Sequence, residues 1–456
     1  MSTARNRKMN LAIFMIPQGN HIAGWRHPDS SWEVDRNFEF LVEMTQRAEQ
    51  SKFDLVFLAD AVVGPDPTVD STAFSPLAAQ YDPLTLLPAL AARTNRIGLV
   101  ATATTTYNEP FHIARKFGTL DLISGGRSGW NAVTSASPTE AHNFQRGDIA
   151  EREDRYARAE EFVDVVRGLW DTFEDGALVS DRKTGQFLDV SKVHRLNHDG
   201  EIFSVKGPLT CERSPQGRPV LVQAGQSEAG MRLAARTADV VFTAQASLEQ
   251  GKVFYSDLKG RLSEFSRSPS DVVILPGLMP IIGQTRTEAE DLLESLQELI
   301  HPDIVTAILQ RTVGGADLSG VDMNAPPPAW LADLPNSRAT VLLKTAQEKG
   351  MTMRQLALQA SISRGHHVVV GTVNDVCDVM QAWFESNAAD GFNILPPYFM
   401  NGFSSFLDGV VPELQRRGLF RTEYEGATLR DHLGLSKPAG GALLNSGVSP
   451  ARRAAG

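Results

Sequence analysis

Gln223-Ala224-Gly225-Gln226-Ser227-Glu228-Ala229-Gly230 sets two glycines around a serine that stands where an N-cap would open a helix. Backbone N–H groups at a helix N-terminus attract anions, so a phosphate held by Gly225, Gln226 and Ser227 is physically reasonable, with a plain helix cap as the alternative. The spelling is GxSxxG with Ala at 229, neither the GxSxG nucleophile elbow nor the dinucleotide GxGxxG, and no Walker A sequence occurs elsewhere. The chain therefore carries no NAD(P)H fingerprint of its own. Asp60, which ends the apolar run begun at Phe53, suits either a general base or the bracing of a turn. His21, Trp25, Arg26 and His27 follow another such run in types that suit an anionic or an aromatic substrate. His194 and His198, four apart, and the adjacent His366-His367 come with no evident carboxylate or cysteine partner, so solvated or structural roles are expected and no metal site is indicated. Arg115-Lys116 reads as a solvated face, and Tyr156 as core unless its hydroxyl reaches a site. No nucleophile–base pair or carboxylate pair stands out, and the catalytic group stays unknown.

The elements that must position these groups alternate. Apolar, β-branched runs occur at 10–15, 53–59, 97–104, 129–134, 220–224, 240–243, 272–282 and 391–395. Most are continuously apolar, as strands covered on both faces of a parallel sheet are. Between them lie helical patterns: Asp82-Pro83 and Pro110 open two, a long one runs from about Glu151 to Trp170, and Thr287 with Glu290 has the spacing of a capping box. Eight strands separated by helices predict a (β/α)8 barrel, with a doubly wound open sheet as the alternative. A barrel needs about 250 residues. The surplus falls in two long connections, 136–219 after the fourth strand and 284–390 after the seventh, and in a tail from 398 to 456. In a barrel, chemistry collects on the loops after the strands, which is where Asp60, the Thr104 to Asn108 run, Thr134-Ser135 and the Gly225 turn fall, with Asn131 inside the fourth strand.

Composition narrows the function further. The 54 Asp+Glu against 44 Lys+Arg give a net charge of −10, and no Lys/Arg-rich run exists, which argues against nucleic-acid binding. Two isolated cysteines, Cys211 and Cys377, exclude a disulfide framework and fit a reducing compartment. The apolar stretch Leu11 to Ile16 is too short for a signal segment and none is long enough to span a membrane, so a cytoplasmic protein is expected.

Taken in order, several segments resemble the flavin-dependent monooxygenases of the bacterial luciferase-like superfamily, in the branch of nitrilotriacetate, EDTA and dibenzothiophene-sulfone monooxygenases. They are Phe53 to Asp60, Thr104 to His112, Ala114 to Phe117, Leu122 to Asn131, Asp154-Arg155-Tyr156, Gln223 to Gly230, Ala389 to Asn393 and Val411 to Gly418. The resemblance covers nearly the whole chain and implies one barrel domain over 1–456. It also implies reduced FMN supplied by a separate NAD(P)H:FMN oxidoreductase, O2 as co-substrate, a small organic substrate, and a homodimer or homotetramer. Carried over, the flavin contacts fall on Asp60, Thr104, Thr106, Asn131, Tyr156 and the Gly225-Gln226-Ser227 turn. The family commonly has a histidine one helical turn before the tyrosine, where this chain has Arg152; a permanent, forked cation there is expected to bind the flavin phosphate or an anionic substrate. His21, Trp25 and Arg26 are expected on the substrate side, and the connection 284–390 is expected to close over it. An aminopolycarboxylate such as nitrilotriacetate, cleaved at C–N, is the preferred substrate; an aromatic sulfone cleaved at C–S, a deazaflavin-dependent reductase and a non-catalytic flavin binder are the alternatives.

Overall fold

Eleven strands are assigned among the described residues, and eight of them close on themselves. The computed structural model describes residues 7–16, 18–30, 37–65, 73–74, 80–135, 137–144, 150–312, 316–318, 320–333, 346, 350–363 and 365–441. Strands β1 (Asn10–Phe14), β2 (Leu55–Leu58), β3 (Gly98–Thr104), β4 (Ser128–Val133), β7 (Val220–Gln223), β8 (Val240–Thr243), β9 (Val273–Ile282) and β11 (Gly391–Ile394) pair in parallel in that order. The β9–β11 and β11–β1 ladders complete the ring, which is a (β/α)8 barrel and not an open sheet. Each strand found from the sequence is present, within two residues at either end. Two short strands, β5 (His198–Asp199) and β6 (Ser204–Val205), form a separate ladder in the connection after β4.

Strand β9 is long because it serves two partners. Its first half pairs with β8 and β11, while Leu278–Ile282 continues past the barrel to pair with β10 (His367–Gly371). The connection between β9 and β11 also holds helices Arg286–Glu298, Pro302–Thr312, Met353–Ser363 and Val373–Glu385. The first is capped by Thr285, whose side chain accepts from Glu288 N–H, not by Thr287 as the capping-box spacing suggested. Ile300, Ile304, Val305, Leu309, Leu331, Met353 and Leu356 give this region a small core of its own, which Ile22 and Ala23 of the loop after β1 enter.

Alternation along the strands sorts the side chains. Trp130 of β4 faces outward onto Phe117, Phe162 and Trp170 of the helices Pro110–Ser124 and Arg152–Trp170. Inside the barrel Ala12, Leu55, Phe57, Val100, Val222, Val240, Val273 and Leu275 form a core that continues into Leu429, Leu433 and Leu435. The chain's C-terminal segment thus plugs the end of the barrel at which the strands begin. Gly98 admits it: a Cβ there would lie 2.4 Å from Leu429 Cδ1.

Buried carboxylates fasten this floor. Asp54 accepts from Leu11 N–H (2.6 Å) and Arg421 (2.6 Å), Asp239 from Leu221 N–H (2.8 Å) and Arg430 (2.7 Å), and Asp390 from Ile274 N–H (2.9 Å) and Tyr255 (2.9 Å). Each acid sits just before or at the start of one strand and holds the start of a neighbouring one. Fastening at this end serves stability, which leaves the opposite face for chemistry.

Candidate functional site

At the opposite face, β3 and β4 present a polar wall to the barrel interior. Thr102 and Asn131 are register partners, and Asn131 Nδ2 donates to Thr102 Oγ1 at 2.9 Å. Asn131 Oδ1 is buried and has no hydrogen-bond partner among the described residues. A buried acceptor left open costs about 1–3 kcal/mol unless something donates to it. Above it, Thr104 Oγ1 accepts from Ser135 Oγ (2.9 Å) and from Thr106 N–H (3.1 Å), and Thr106 Oγ1 accepts from Ser135 N–H (3.1 Å). Both threonine hydroxyls keep a proton to give.

The Gly225 turn is built against Tyr156. Ser227 is the N-cap of helix Glu228–Thr237: its hydroxyl oxygen accepts from Gly230 N–H (3.2 Å) while its own proton goes to the Tyr156 oxygen (3.1 Å). The cap and the ligand-site readings of Ser227 are therefore not exclusive. The phenol receives a proton and has one left, so the relay ends in an O–H donor beside a helix N-terminus whose first N–H groups lack intrahelical acceptors. The space is reserved by glycine. A Cβ on Gly225 would stand 2.9 Å from the Gly230 Cα, and one on Gly230 would stand 3.0 Å from the Tyr156 hydroxyl. Gln226 turns its amide away, donating to Thr243 Oγ1 (3.2 Å) and the Ala244 carbonyl (3.1 Å), so its side chain braces the turn on β8.

The remaining expected residues lie around this pair at varying removes. Arg152 is exposed one helical turn before Tyr156 and makes no hydrogen bond or ion pair among the described residues. Asp60 is half-buried at the end of β2, and its carboxyl is pushed up to about 6 by burial and by the nearby Asp82 and Glu140; no hydrogen bond joins it to Thr104, Asn131 or Tyr156. His21 is fully buried where the loops after β1 and β11 meet, its N–H bonded to the Pro397 carbonyl (3.1 Å). Its Nδ1 accepts from Ala23 N–H (3.2 Å), which puts the proton on Nε2, and burial lowers its pKa to about 4. Arg26 reaches the Leu299 carbonyl at the end of helix Arg286–Glu298, His27 stacks on Tyr398 (4.3 Å), and the Trp25 indole N–H is buried without a partner among the described residues. The loop after β1 therefore ties the long connection to the barrel mouth.

Two groups went unrecognised in the sequence. Phe14, Phe57 and Phe242 form a ring cluster inside the barrel, with centroids 5.3 to 5.4 Å apart. His366, which the sequence assigned a solvated or structural role, stacks on Phe242 at 5.1 Å and lies where a Gly277 side chain would be, with Nδ1 2.2 Å from that Cβ position. The connection before β10 thus delivers an imidazole to the barrel mouth. His194 and His198, by contrast, each find one carboxylate, Glu174 (2.6 Å) and Glu161 (3.0 Å), which corrects the expectation that they had none. Among the described residues no group of His, Cys, Asp and Glu is arranged to hold a metal. Nor is any described helix long and apolar enough to cross a membrane.

The arrangement suits a ligand with a phosphate at the Gly225 turn and a polar edge that donates to Asn131. The profile of the family described as luciferase-like monooxygenases matches residues 14–390. The chain belongs to that family. As a luciferase-like monooxygenase it is an enzyme of a flavin-dependent oxidoreductase family. It is 46% identical to N-acetyl-S-(2-succino)cysteine monooxygenase of Bacillus subtilis (strain 168), over 96% of this chain and 98% of that protein. Identity is also 46% to nitrilotriacetate monooxygenase component A of Aminobacter aminovorans, over 95% and 98%. The crystal structure of a long-chain alkane monooxygenase superposes with a TM-score of 0.82 at 33% identity, covering 94% of this chain and 96% of that one.

Proposed function

We propose that this luciferase-like enzyme uses reduced FMN and O2 to oxygenate a polycarboxylate at a carbon between a heteroatom and a carboxyl group. The observation that carries the cofactor assignment is the Gly230, Ser227, Tyr156 relay over the Gly225–Gly230 contact, a glycine-lined anion cradle ending in a hydroxyl donor. Asn131 Oδ1, Thr104 and Thr106 would meet the flavin ring and side chain, and Arg152 would answer the phosphate or a substrate carboxylate. Bound reduced FMN supplies the electrons that activate O2. The chain's part is to orient the substrate and keep water out, with the connection 284–390 as the cover. No dinucleotide fingerprint accompanies the cradle, which supports delivery of the reduced flavin by a separate NAD(P)H:FMN oxidoreductase, as does the designation of the Aminobacter relative as a component A.

The substrate class rests on two relatives at equal identity. Both named substrates carry several carboxylates, and in both a carbon bonded to sulfur or nitrogen also bears a carboxyl group. Hydroxylating such a carbon consumes O2 and two electrons, releases water, and leaves a centre that expels the amine or thiol as the carbonyl forms. For nitrilotriacetate the products are iminodiacetate and glyoxylate. The Phe14, Phe57 and Phe242 rings favour a second reading, an aromatic sulfone cleaved at C–S.

The test is aerobic turnover with photochemically reduced FMN and catalase, assaying glyoxylate from nitrilotriacetate and free thiol from N-acetyl-S-(2-succino)cysteine. Either product above the protein-free control supports the polycarboxylate reading. Neither product, together with turnover of an aromatic sulfone, replaces it. Failure to bind FMN in a fluorescence titration removes the cofactor assignment itself.

A further inference from the structure

Glycine and strand alternation bring two polar side chains together inside the barrel. Along β9 every second residue faces inward: Val273 and Leu275 line the inner core, and Gly277 is the next position on that face. The His366 imidazole occupies the room a Gly277 side chain would take and stacks on Phe242 (5.1 Å). Gly277 is also the register partner of Asn393 on β11. Phe392 turns outward onto Trp383, so Asn393 turns inward, beside that imidazole. Asn393 is 1% exposed, and its Oδ1 has no hydrogen-bond partner among the described residues. In the ring, β11 and β4 stand four strands apart in either direction, so Asn393 and Asn131 are buried amides with open acceptors on opposite walls. Between those walls Phe57 meets Phe242 (5.3 Å).

We propose that Asn393 and His366 select the substrate: Asn393 Oδ1 accepts from a substrate N–H, and the His366 imidazole donates to a carboxylate next to it. This rests on the polycarboxylate reading above and names the groups that recognise such a molecule. An acceptor buried among aromatic rings is costly unless a donor meets it, and the flavin's polar edge is already answered from the opposite wall by Asn131. The substrate is left to bring the donor. Nitrilotriacetate, protonated on nitrogen at neutral pH, and N-acetyl-S-(2-succino)cysteine, with its amide N–H, each carry one among their carboxylates. An aromatic sulfone carries acceptors only and would leave Asn393 unmet. Sites built around a hydrogen bond reject analogues that lack it far more strongly than apolar pockets reject a changed methylene. The pair therefore weighs against the sulfone, which the phenylalanine rings alone favour.

The experiment compares each of the two polycarboxylates with its N-methylated analogue, which lacks the N–H, in air with photochemically reduced FMN and catalase. For the substrate that turns over, the analogue should lose at least tenfold in kcat/KM with the wild type. Asn393→Leu should lower kcat/KM of the parent at least tenfold and leave the analogue within twofold, so that the discrimination vanishes. His366→Leu should raise KM for parent and analogue alike by at least tenfold, with kcat within threefold. FMN affinity, from a fluorescence titration, should stay within twofold in both variants. A wild type that takes parent and analogue equally overturns the proposal whether or not the variants fold, as do folded variants with wild-type constants while the polycarboxylate reading stands. If the wild type turns over a sulfone and neither polycarboxylate, that reading falls and this inference with it.

Discussion

The imidazole of His366 fills the space that a side chain on Gly277 would need, although Gly277 lies within β9 and His366 just before β10. Strand β9 is therefore notched at the level where it leaves the barrel, and the notch is what lets the connection insert a polar ring above Phe242. Replacing Gly277 by Ala would displace His366 without changing its chemistry. Misplacing a group near reacting atoms by about 1 Å costs up to ~100-fold in rate. A fall in kcat/KM of tenfold or more, with FMN affinity intact, is the expected outcome; steady-state kinetics beside a binding titration would show it, and unaltered kinetics would place His366 outside the reaction.

For the anion cradle, Gly230→Ala sets a methyl 3.0 Å from the Tyr156 hydroxyl and breaks the close approach to Gly225. FMN affinity should fall at least tenfold, about 1.4 kcal/mol. Tyr156→Phe removes the terminal donor and the acceptor of the Ser227 hydroxyl together, without adding bulk, and should cost FMN binding about 0.5–1.5 kcal/mol. Riboflavin, which lacks the phosphate, should bind the wild type and Tyr156→Phe alike. A loss that is equal for FMN and riboflavin would put the defect elsewhere.

These residues differ in how legible they were. The eight barrel strands stood out because strands buried on both faces are continuously apolar, and Phe53–Ala59 or Val272–Ile282 can hardly be read otherwise. Strand β10 did not, since it lies outside the ring, is only partly buried, and begins beside two histidines that drew notice as a pair. Thr285 and Thr287 each precede a glutamate by three residues, so spacing alone could not choose between them. The Ser227 turn and Tyr156 could be suspected locally, but their hydrogen bond spans 71 positions, and the Gly277 notch faces a histidine 89 positions away. Only closure of the barrel brings such pairs together.

Acid should weaken the floor of the barrel. His432 is buried there with both ring nitrogens unpartnered among the described residues, its ring tilted against Tyr424 (4.6 Å) and facing Arg421, Arg96 and Arg127, with Asp431 acting against them. Burial, then these arginines, lower its pKa from 6.5 to about 4. The native form therefore refuses a proton that the unfolded chain accepts, so its stability contribution is complete above about pH 6.5 and is lost as pH falls toward 4, amounting to about 3 kcal/mol. Asp121, raised by burial from 3.8 to about 6, acts oppositely over that interval. Urea midpoints measured from pH 7.5 to 4.5 should fall less steeply in His432→Leu than in the wild type; parallel curves would contradict the assignment.

Arg430 and Asp239 offer a test of the floor at constant pH. Burial alone would raise the Asp239 carboxyl, yet the Arg430 guanidinium, together with the Leu221 N–H and Arg218, outweighs it and holds the group below the usual carboxylate range. Arg430→Ala would leave Asp239 buried with only the Leu221 N–H and the more distant Arg218 to answer its charge, a loss of about 3 kcal/mol. Chemical denaturation should show that loss while FMN affinity, which the proposed site at the far end of the barrel would set, stays unchanged. A variant as stable as the wild type would mean that the pair is dispensable.

The plug at Leu429, Leu433 and Leu435 has a consequence for biosynthesis. The barrel's inner core begins with Ala12 and is not sealed until Leu435, so contacts at its centre join residues separated by more than four hundred positions. On the ribosome, every strand from β1 to β11 can leave the exit tunnel while the bottom of the ring still stands open to water. The inner core can then close only after residues 429–435 have emerged, and until they do the lining stands as open apolar surface of the kind that makes partly folded chains prone to aggregate.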